Sequence, residues 1–161
     1  QAHPRCHTII VGGDDVSYGQ KPSDAPNWRE KMLREVKLDA SRTHFMGKLP
    51  YDQYRKVLQV SAAHIYLTYP FVLSWSMLEA MASGCLVIGS RTGPVQEVIT
   101  DGENGLLVDF FDTGAMADRL VEAINNQAAF KRVREAAQQT VRERYSLADG
   151  DRAFRRLLVA A

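Results

Sequence analysis

Cysteine is scarce in this sequence: Cys6 and Cys85 are the only two among 161 residues. Two isolated thiols, with no second Cys close by in the sequence, suggest packing roles in a reducing compartment and argue against a zinc site. A cytoplasmic location is expected on that ground. Long apolar runs are also missing. No stretch approaches the roughly 20 residues needed to span a bilayer, and the N-terminus lacks a signal-peptide pattern. Neither sign of charge dominates, since 20 Lys and Arg against 19 Asp and Glu leave a net charge of +1. Nothing therefore calls for nucleic acid or an anionic membrane. Repeats, low-complexity tracts and linkers are absent too. What remains is 45% hydrophobic and 24% charged, the balance of a soluble globular protein. The length suits one domain over residues 1–161, burying roughly 70% of the unfolded surface.

Five short apolar runs punctuate the chain, each ended by turn chemistry: residues 7–13 (HTIIVGG), 43–47 (THFMG), 63–68 (AHIYLT), 85–90 (CLVIGS) and 105–109 (GLLVD). They are continuous rather than alternating, which predicts strands buried on both faces. Helical stripes separate them: Trp28, Met32 and Val36; Tyr54, Val57, Leu58 and Ser61; Met116, Leu120 and Ile124. Alternating strands and helices predict an α/β, Rossmann-like three-layer domain with a parallel sheet and right-handed crossovers. Residues 127–161 read as a C-terminal extension of helices, broken near Tyr145 and Ser146, with Ser146 able to cap the second. The arginines of this tail are interleaved with Glu135, Glu143 and Asp151, so they read as a solvated face.

In an open parallel sheet, ligands bind beyond the carboxyl ends of the strands, where helix N-termini offer unpaired N–H groups. Three places qualify. Gly12 and Gly13 end the first strand, where missing Cβ atoms allow a close approach to a ligand or simply a tight turn. They do not make the dinucleotide fingerprint, because "GGDDVS" lacks the further glycines. Asp14 and Asp15 could suggest the acidic pair of a phosphate-receiving regulator. No later strand end supplies the Asp and Lys that such a site needs. Lys48 and Leu49 precede Pro50, where a planar base could lie against the backbone, or where Pro50 merely starts a helix. The third place is "PFVLSWSMLEAMASG", residues 70–84. Ser76 and Glu79 fit a capping box, Ser74 is an alternative cap, and Gly84 is the helix stop, with Met77, Leu78 and Met81 as the buried side. Glu79 is then either a capping acid or a ligand.

The segment "AHIYLTYPFVLSWSMLEAMASGCLVIGSRTGPVQEVITDGENGLLVD" joins a Leu-Glu-Ala-Met-Ala-Ser-Gly helix, the strand LVIGS, Gly-Pro-x-x-Glu and Asp-Gly-x-x-Gly-Leu-Leu-Val. With "IIVGG" and "HFMGKLP" upstream, it resembles the C-terminal, nucleotide-binding half of group 1 retaining glycosyltransferases. Those enzymes have two facing Rossmann-like domains, the GT-B fold. The resemblance runs from His7 to Ile124 and implies a donor nucleotide diphosphate sugar as substrate, with no metal or other cofactor. By position, Glu79 matches the acid that accepts both ribose hydroxyls, a task suited to an acceptor-only carboxylate. The backbone amides of Trp75 and Ser76 match those that meet the diphosphate, with Leu73 and Ser74 beside them. Lys48 and Leu49 match the base-reading loop, and Gly12 and Gly13 the diphosphate side of the cleft.

Two departures qualify the resemblance. The family usually places a first Glu eight positions before the second, and here that position is Phe71. The missing acid would contact the donor sugar, which leaves two readings open. Either the sugar is held by main chain and Ser74, or the protein is a catalytically silent nucleotide-sugar-binding module. A GT-B-type nucleotide-sugar epimerase is a further alternative. The phosphate-binding Arg and Lys of the family lie at and after a strand that precedes the one opening this sequence, so the sequence reads as a piece of a longer enzyme. An N-terminal, acceptor-binding domain of the same enzyme is therefore the expected partner, and any peripheral membrane contact is expected through that half.

Overall fold

The computed structural model describes residues 3, 5–16, 19–68 and 72–159. All five expected runs form strands, in the order β1 (Thr8–Val11), β2 (Thr43–Gly47), β3 (Ala63–Tyr66), β4 (Leu86–Ser90) and β5 (Leu106–Val108). Among the described residues, seven helices alternate with them and follow them: α1 (Trp28–Glu35), α2 (Tyr51–Val60), α3 (Trp75–Ala82), α4 (Gly93–Gln96), α5 (Thr113–Asn125), α6 (Lys131–Arg144) and α7 (Leu147–Val159). Every strand pairing is parallel. The fold is Rossmann-like α/β with a C-terminal helical extension, as the alternation predicts. The strands form two ladders, β1-β2 and β3-β4-β5, and the chain divides into two compact units, Gln1–Tyr54 and Arg55–Ala161.

In the second unit the sheet lies between helices. Leu86 and Ile88 of β4 share one face with Leu106 and Val108 of β5, packed with Ala123 of α5 and with Phe130 and Val133. On the alternate positions, Gly89 lies against Val95 and Ile99. Period-two alternation thus puts one helical layer on each face. β4 and β5 are buried along their whole length, as continuous apolar runs predict.

The first unit departs from that expectation. β1 is largely exposed, with Ile9 at 42% and Ile10 at 41%. Of the expected stripe, Trp28 and Met32 lie on α1 while Val36 is its extended C-cap, and no residue of the helix is buried. Periodicity fixes which side of an element is apolar, but burial needs a second layer to cover it. Beside this ladder, His7 Nδ1 and His44 Nε2 approach to 3.0 Å with nearly parallel rings.

Several helix ends follow their sequence signals. Asn27 caps α1 by accepting from the Glu30 N–H at 2.8 Å. Ser146 caps α7 through the Asp149 N–H. Gly84, at φ +77°, ends α3. There the Gly84 N–H bonds the Met81 carbonyl and the Cys85 N–H bonds the Ala80 carbonyl, both at 3.0 Å, the paired pattern of a glycine-terminated helix. The tail arginines are not all solvated, since Arg134 is half-buried and donates to the Ala62 carbonyl at 3.0 Å.

Cys85 lies at the start of β4 with 1% of its surface exposed. Burial pushes its thiol up to about 11, against a small opposing pull from Arg134. Since the thiolate is the reactive form, iodoacetamide at pH 8 is expected to leave Cys85 unmodified in the folded chain while labelling the more accessible Cys6. Peptide mass mapping checks this, and equal labelling of both thiols before unfolding would contradict it.

Candidate functional site

The candidate residues divide between the two units. In the first, the parallel β1-β2 ladder brings the carboxyl ends of both strands together, and with them Gly12, Gly13, Lys48 and Leu49. The Gly12 N–H donates to the Gly47 carbonyl at 2.9 Å, just past a register shift between Ile10 and Val11. Gly12 adopts φ +147°, a region side-chain-bearing residues avoid. At Gly13 an added Cβ would stand 2.6 Å from Lys48 Cε, so the glycine makes room for the lysine stem. Lys48 is exposed, and its ammonium pairs with Asp15 at 3.4 Å. Arg29 takes Asp14 at 3.1 Å and lies 3.8 Å over the Phe45 ring. The acidic pair is thus met by cations from α1 and from the loop after β2. Pro50 stands just before α2, with its carbonyl accepting from the Gln53 and Tyr54 N–H groups, so it does start the helix.

In the second unit, the candidates gather at the N-terminus of α3. Phe71 lies outside the described residues. The cap of α3 is Ser74, whose Oγ accepts from the Ser76 N–H at 3.2 Å. Ser76 is therefore inside the helix, and the capping box of Ser76 and Glu79 does not form. Register explains the difference: with Ser74 at the cap, Met77 occupies the third helical position that a capping acid needs. Glu79 comes two residues later. Its half-buried carboxylate has no hydrogen bond or ion pair among the described residues. Residues three and four apart share a helix face, so Glu79 stands on the side of Trp75 and Ser76. The Trp75 N–H has no acceptor among the described residues, and the residue is 78% exposed. Beneath this face Met77, Ala80 and Met81 are fully buried. The result is a helix start with a free donor, a second donor held only by Ser74, and an unpaired acid one turn on. The orphan N–H groups and the helix dipole favour an anion there.

The sequence motif Asp-Gly-x-x-Gly resolves into a closed turn. The Gly102 N–H bonds the Gly105 carbonyl at 2.8 Å. Asp101 accepts from the Leu107 N–H at 2.9 Å and from Arg91 at 2.7 Å. Partial burial works against its charge, but the Leu107 N–H and Arg91 together hold the Asp101 carboxyl below the ordinary carboxylate range. Asn104 is buried and fully bonded: Oδ1 accepts from the Thr100 N–H at 2.8 Å, and Nδ2 donates to the Val98 carbonyl and Thr140 Oγ1, both at 3.0 Å. This motif is structural. Nothing in its spacing distinguished that role from ligand binding, because Thr140 arrives from a distant helix.

Two open grooves lie beside these clusters, and neither is lined by Gly12, Gly13, Lys48, Leu49 or the α3 candidates. One of about 660 Å³ in the first unit is lined by Arg29, Leu33, Leu38 and Phe45 among others. The other, of about 380 Å³ in the second unit, is lined by Arg91, Asp109, Asp118 and Arg119 among others. Among the described residues no group of three or more His, Cys, Asp or Glu could hold a metal ion, and no helix is long and apolar enough to cross a membrane.

Comparison with known proteins gives this geometry a context. The family described as glycosyl transferases group 1 matches residues 1–140. N-acetyl-alpha-D-glucosaminyl L-malate synthase of Bacillus anthracis is 31% identical over 104 residues, which cover 65% of this chain and 27% of that protein. HepE of Anabaena, solved in complex with UDP-glucose, superposes with a TM-score of 0.83 at 18% identity, covering 99% of this chain and 42% of that one. The C-terminal domain of the group 1 glycosyl transferase LpcC from Francisella tularensis matches with a TM-score of 0.60 at 25% identity, over 73% of this chain and 60% of that one. This chain spans well under half the length of the first two proteins.

Proposed function

The chain belongs to the group 1 glycosyl transferases, as a GT-B-fold domain corresponding to about half of a two-domain enzyme, and from that premise we propose that it is the C-terminal, donor-binding half. The likeness to the LpcC C-terminal domain supports the placement. The reaction we assign to the whole enzyme is transfer of a sugar from a nucleotide diphosphate sugar to an acceptor hydroxyl, with retained anomeric configuration. The bond from the sugar's anomeric carbon to the diphosphate oxygen breaks, a bond to the acceptor oxygen forms, and the acceptor proton leaves with the diphosphate.

The observation that carries the proposal is the start of α3, where, among the described residues, the Trp75 N–H has no acceptor and the Glu79 carboxylate one turn on has no partner. Donors fixed in place at a helix N-terminus stabilise charge as it develops on a departing diphosphate, at no cost of reorganisation. We assign the Trp75 and Ser76 amides to the diphosphate, with Leu73 and Ser74 beside them, and Glu79 to the ribose hydroxyls. The exposed loop ends supply the rest: Lys48 and Leu49 for the base, Gly12 and Gly13 for close approach to the diphosphate. UDP-glucose bound to HepE supports a uridine diphosphate donor. Phe71 in place of the family's first acid favours a second reading, a nucleotide-sugar-binding module without turnover.

Titration of the chain with UDP, GDP and ADP, followed by calorimetry or amide resonances, tests the site. Glu79→Ala is expected to weaken binding of the preferred nucleotide by about 1–3 kcal/mol through loss of a charged hydrogen bond. Because the carboxylate caps nothing, the melting temperature is expected to stay nearly constant. Unchanged affinity would remove Glu79 from the site. Adding an acceptor-binding domain then separates the readings: acceptor-dependent release of nucleotide marks a transferase, and binding without turnover marks a module.

A further inference from the structure

Two buried hydroxyls in the second unit have polar partners at the two ends of one connection, residues 68–74, which runs from the end of β3 toward α3. Ser90, the last residue of β4, has no exposed surface. Its Oγ donates to the Thr68 carbonyl at 2.9 Å and accepts from the Thr68 N–H at 3.1 Å. The parallel ladder of β3 and β4 ends at the pairing of Tyr66 with Gly89, so Ser90 extends it by one side-chain rung. Tyr66 is 7% exposed, and its Oη accepts from the Ser74 N–H at 2.8 Å. Ser74 in turn caps α3.

A hydroxyl buried in a strand is unfavourable unless it is bonded, and alanine or phenylalanine would fill the same places without that cost. Here both hydroxyls hold backbone that no strand or helix ladder reaches. Ser90 fixes where the connection leaves the sheet. Tyr66 fixes where it meets the helix.

We propose that Ser90 and Tyr66 are positioning residues that hold the backbone of Thr68 and Ser74, so that the α3 N-terminus is already in place when the donor diphosphate arrives. The inference rests on the reading of that N-terminus as the diphosphate site. It adds to that reading the two residues that hold the donors in register, neither of which touches the ligand. Holding the Ser74 backbone in advance means that placing the cap of α3 does not subtract from binding energy.

The test uses the whole chain, with UDP as probe, and three variants: Tyr66→Phe, Ser90→Ala and Thr140→Val. The last removes a hydroxyl that bonds neither end of the connection. In the absence of UDP, Tyr66→Phe is expected to raise hydrogen exchange at the Ser74 amide about tenfold or more, and Ser90→Ala to do so at Thr68. UDP affinity is expected to fall about fivefold to tenfold in Tyr66→Phe, as the loss of one net hydrogen bond implies, and at least as far in Ser90→Ala, which loses two. Thr140→Val is expected to lower the melting temperature while leaving UDP affinity unchanged. If UDP shifts neither the Trp75 nor the Ser76 amide resonance of the unaltered chain, the diphosphate reading fails and this inference with it. If the unaltered chain responds but Tyr66→Phe and Ser90→Ala bind UDP as well as it does, only the clamp is overturned. Equal weakening by Thr140→Val would also overturn it, by tracing the effect to general stability.

Discussion

Met77→Ala is expected to destabilise the chain by about 2–5 kcal/mol, the range for truncating a fully buried methionine. Met77 has no exposed surface, and its neighbours on the same face of α3, Ala80 and Met81, have none either. The cost combines the lost transfer of side-chain atoms out of water with a cavity that its surroundings fill only partly. Thermal unfolding followed by circular dichroism should show a fall in melting temperature of roughly 2–4 °C per kcal/mol for a chain of this size. Trp75→Ala, on the exposed side of the same helix, is the contrast, and is expected to change stability by less than about 0.5 kcal/mol. Similar losses for both would mean that α3 is not seated on the sheet by its methionines.

Asn104→Ala is expected to cost about 2–4 kcal/mol, because it abandons three hydrogen bonds at a buried position. The Thr100 N–H and Val98 carbonyl lose a partner, and Thr140 Oγ1 keeps only its bond to the Ala136 carbonyl. The amide does what neither a carboxylate nor an alkyl group can, since it accepts on one side and donates twice on the other. Asn104→Asp keeps the acceptor and loses both donors, so it is expected to be nearly as harmful. Glu103→Ala, exposed in the same turn, is expected to be close to neutral. Chemical denaturation of the three variants checks this order. A mild Asn104→Ala beside a harmful Glu103→Ala would reverse the roles assigned to the turn.

The start of α3 shows how far local patterns reach. The sequence placed a helix there, its stop at Gly84 and its methionines inward, and the structure has all three. It left Ser74 and Ser76 as rival caps, because both satisfy the short-range rule. The backbone decided for Ser74, whose N–H is pinned by Tyr66 from the preceding strand. That choice carried Glu79 out of capping position and left its carboxylate without a partner among the described residues, the observation on which the proposed ribose contact rests. The same limit explains Asn104, Ser90 and Arg134. Each reaches a partner across 22 to 72 residues of chain, and no window of helical or strand periodicity extends that far.

Local chemistry in the sequence alone determined the order and kind of the elements expected from its apolar runs, the stop of α3 at Gly84 and the start of α7 at Ser146. These follow from contacts within about one helical turn or one strand step. The four-residue helix α4 carried no periodic signal and appeared only in the structure. Tertiary structure decided which apolar strands are covered, which serine caps α3 and which polar groups are clamps. A β1 run as apolar as β4 stands largely exposed while β4 is sealed, because hydrophobicity states what an element would gain by burial and only packed neighbours can provide it.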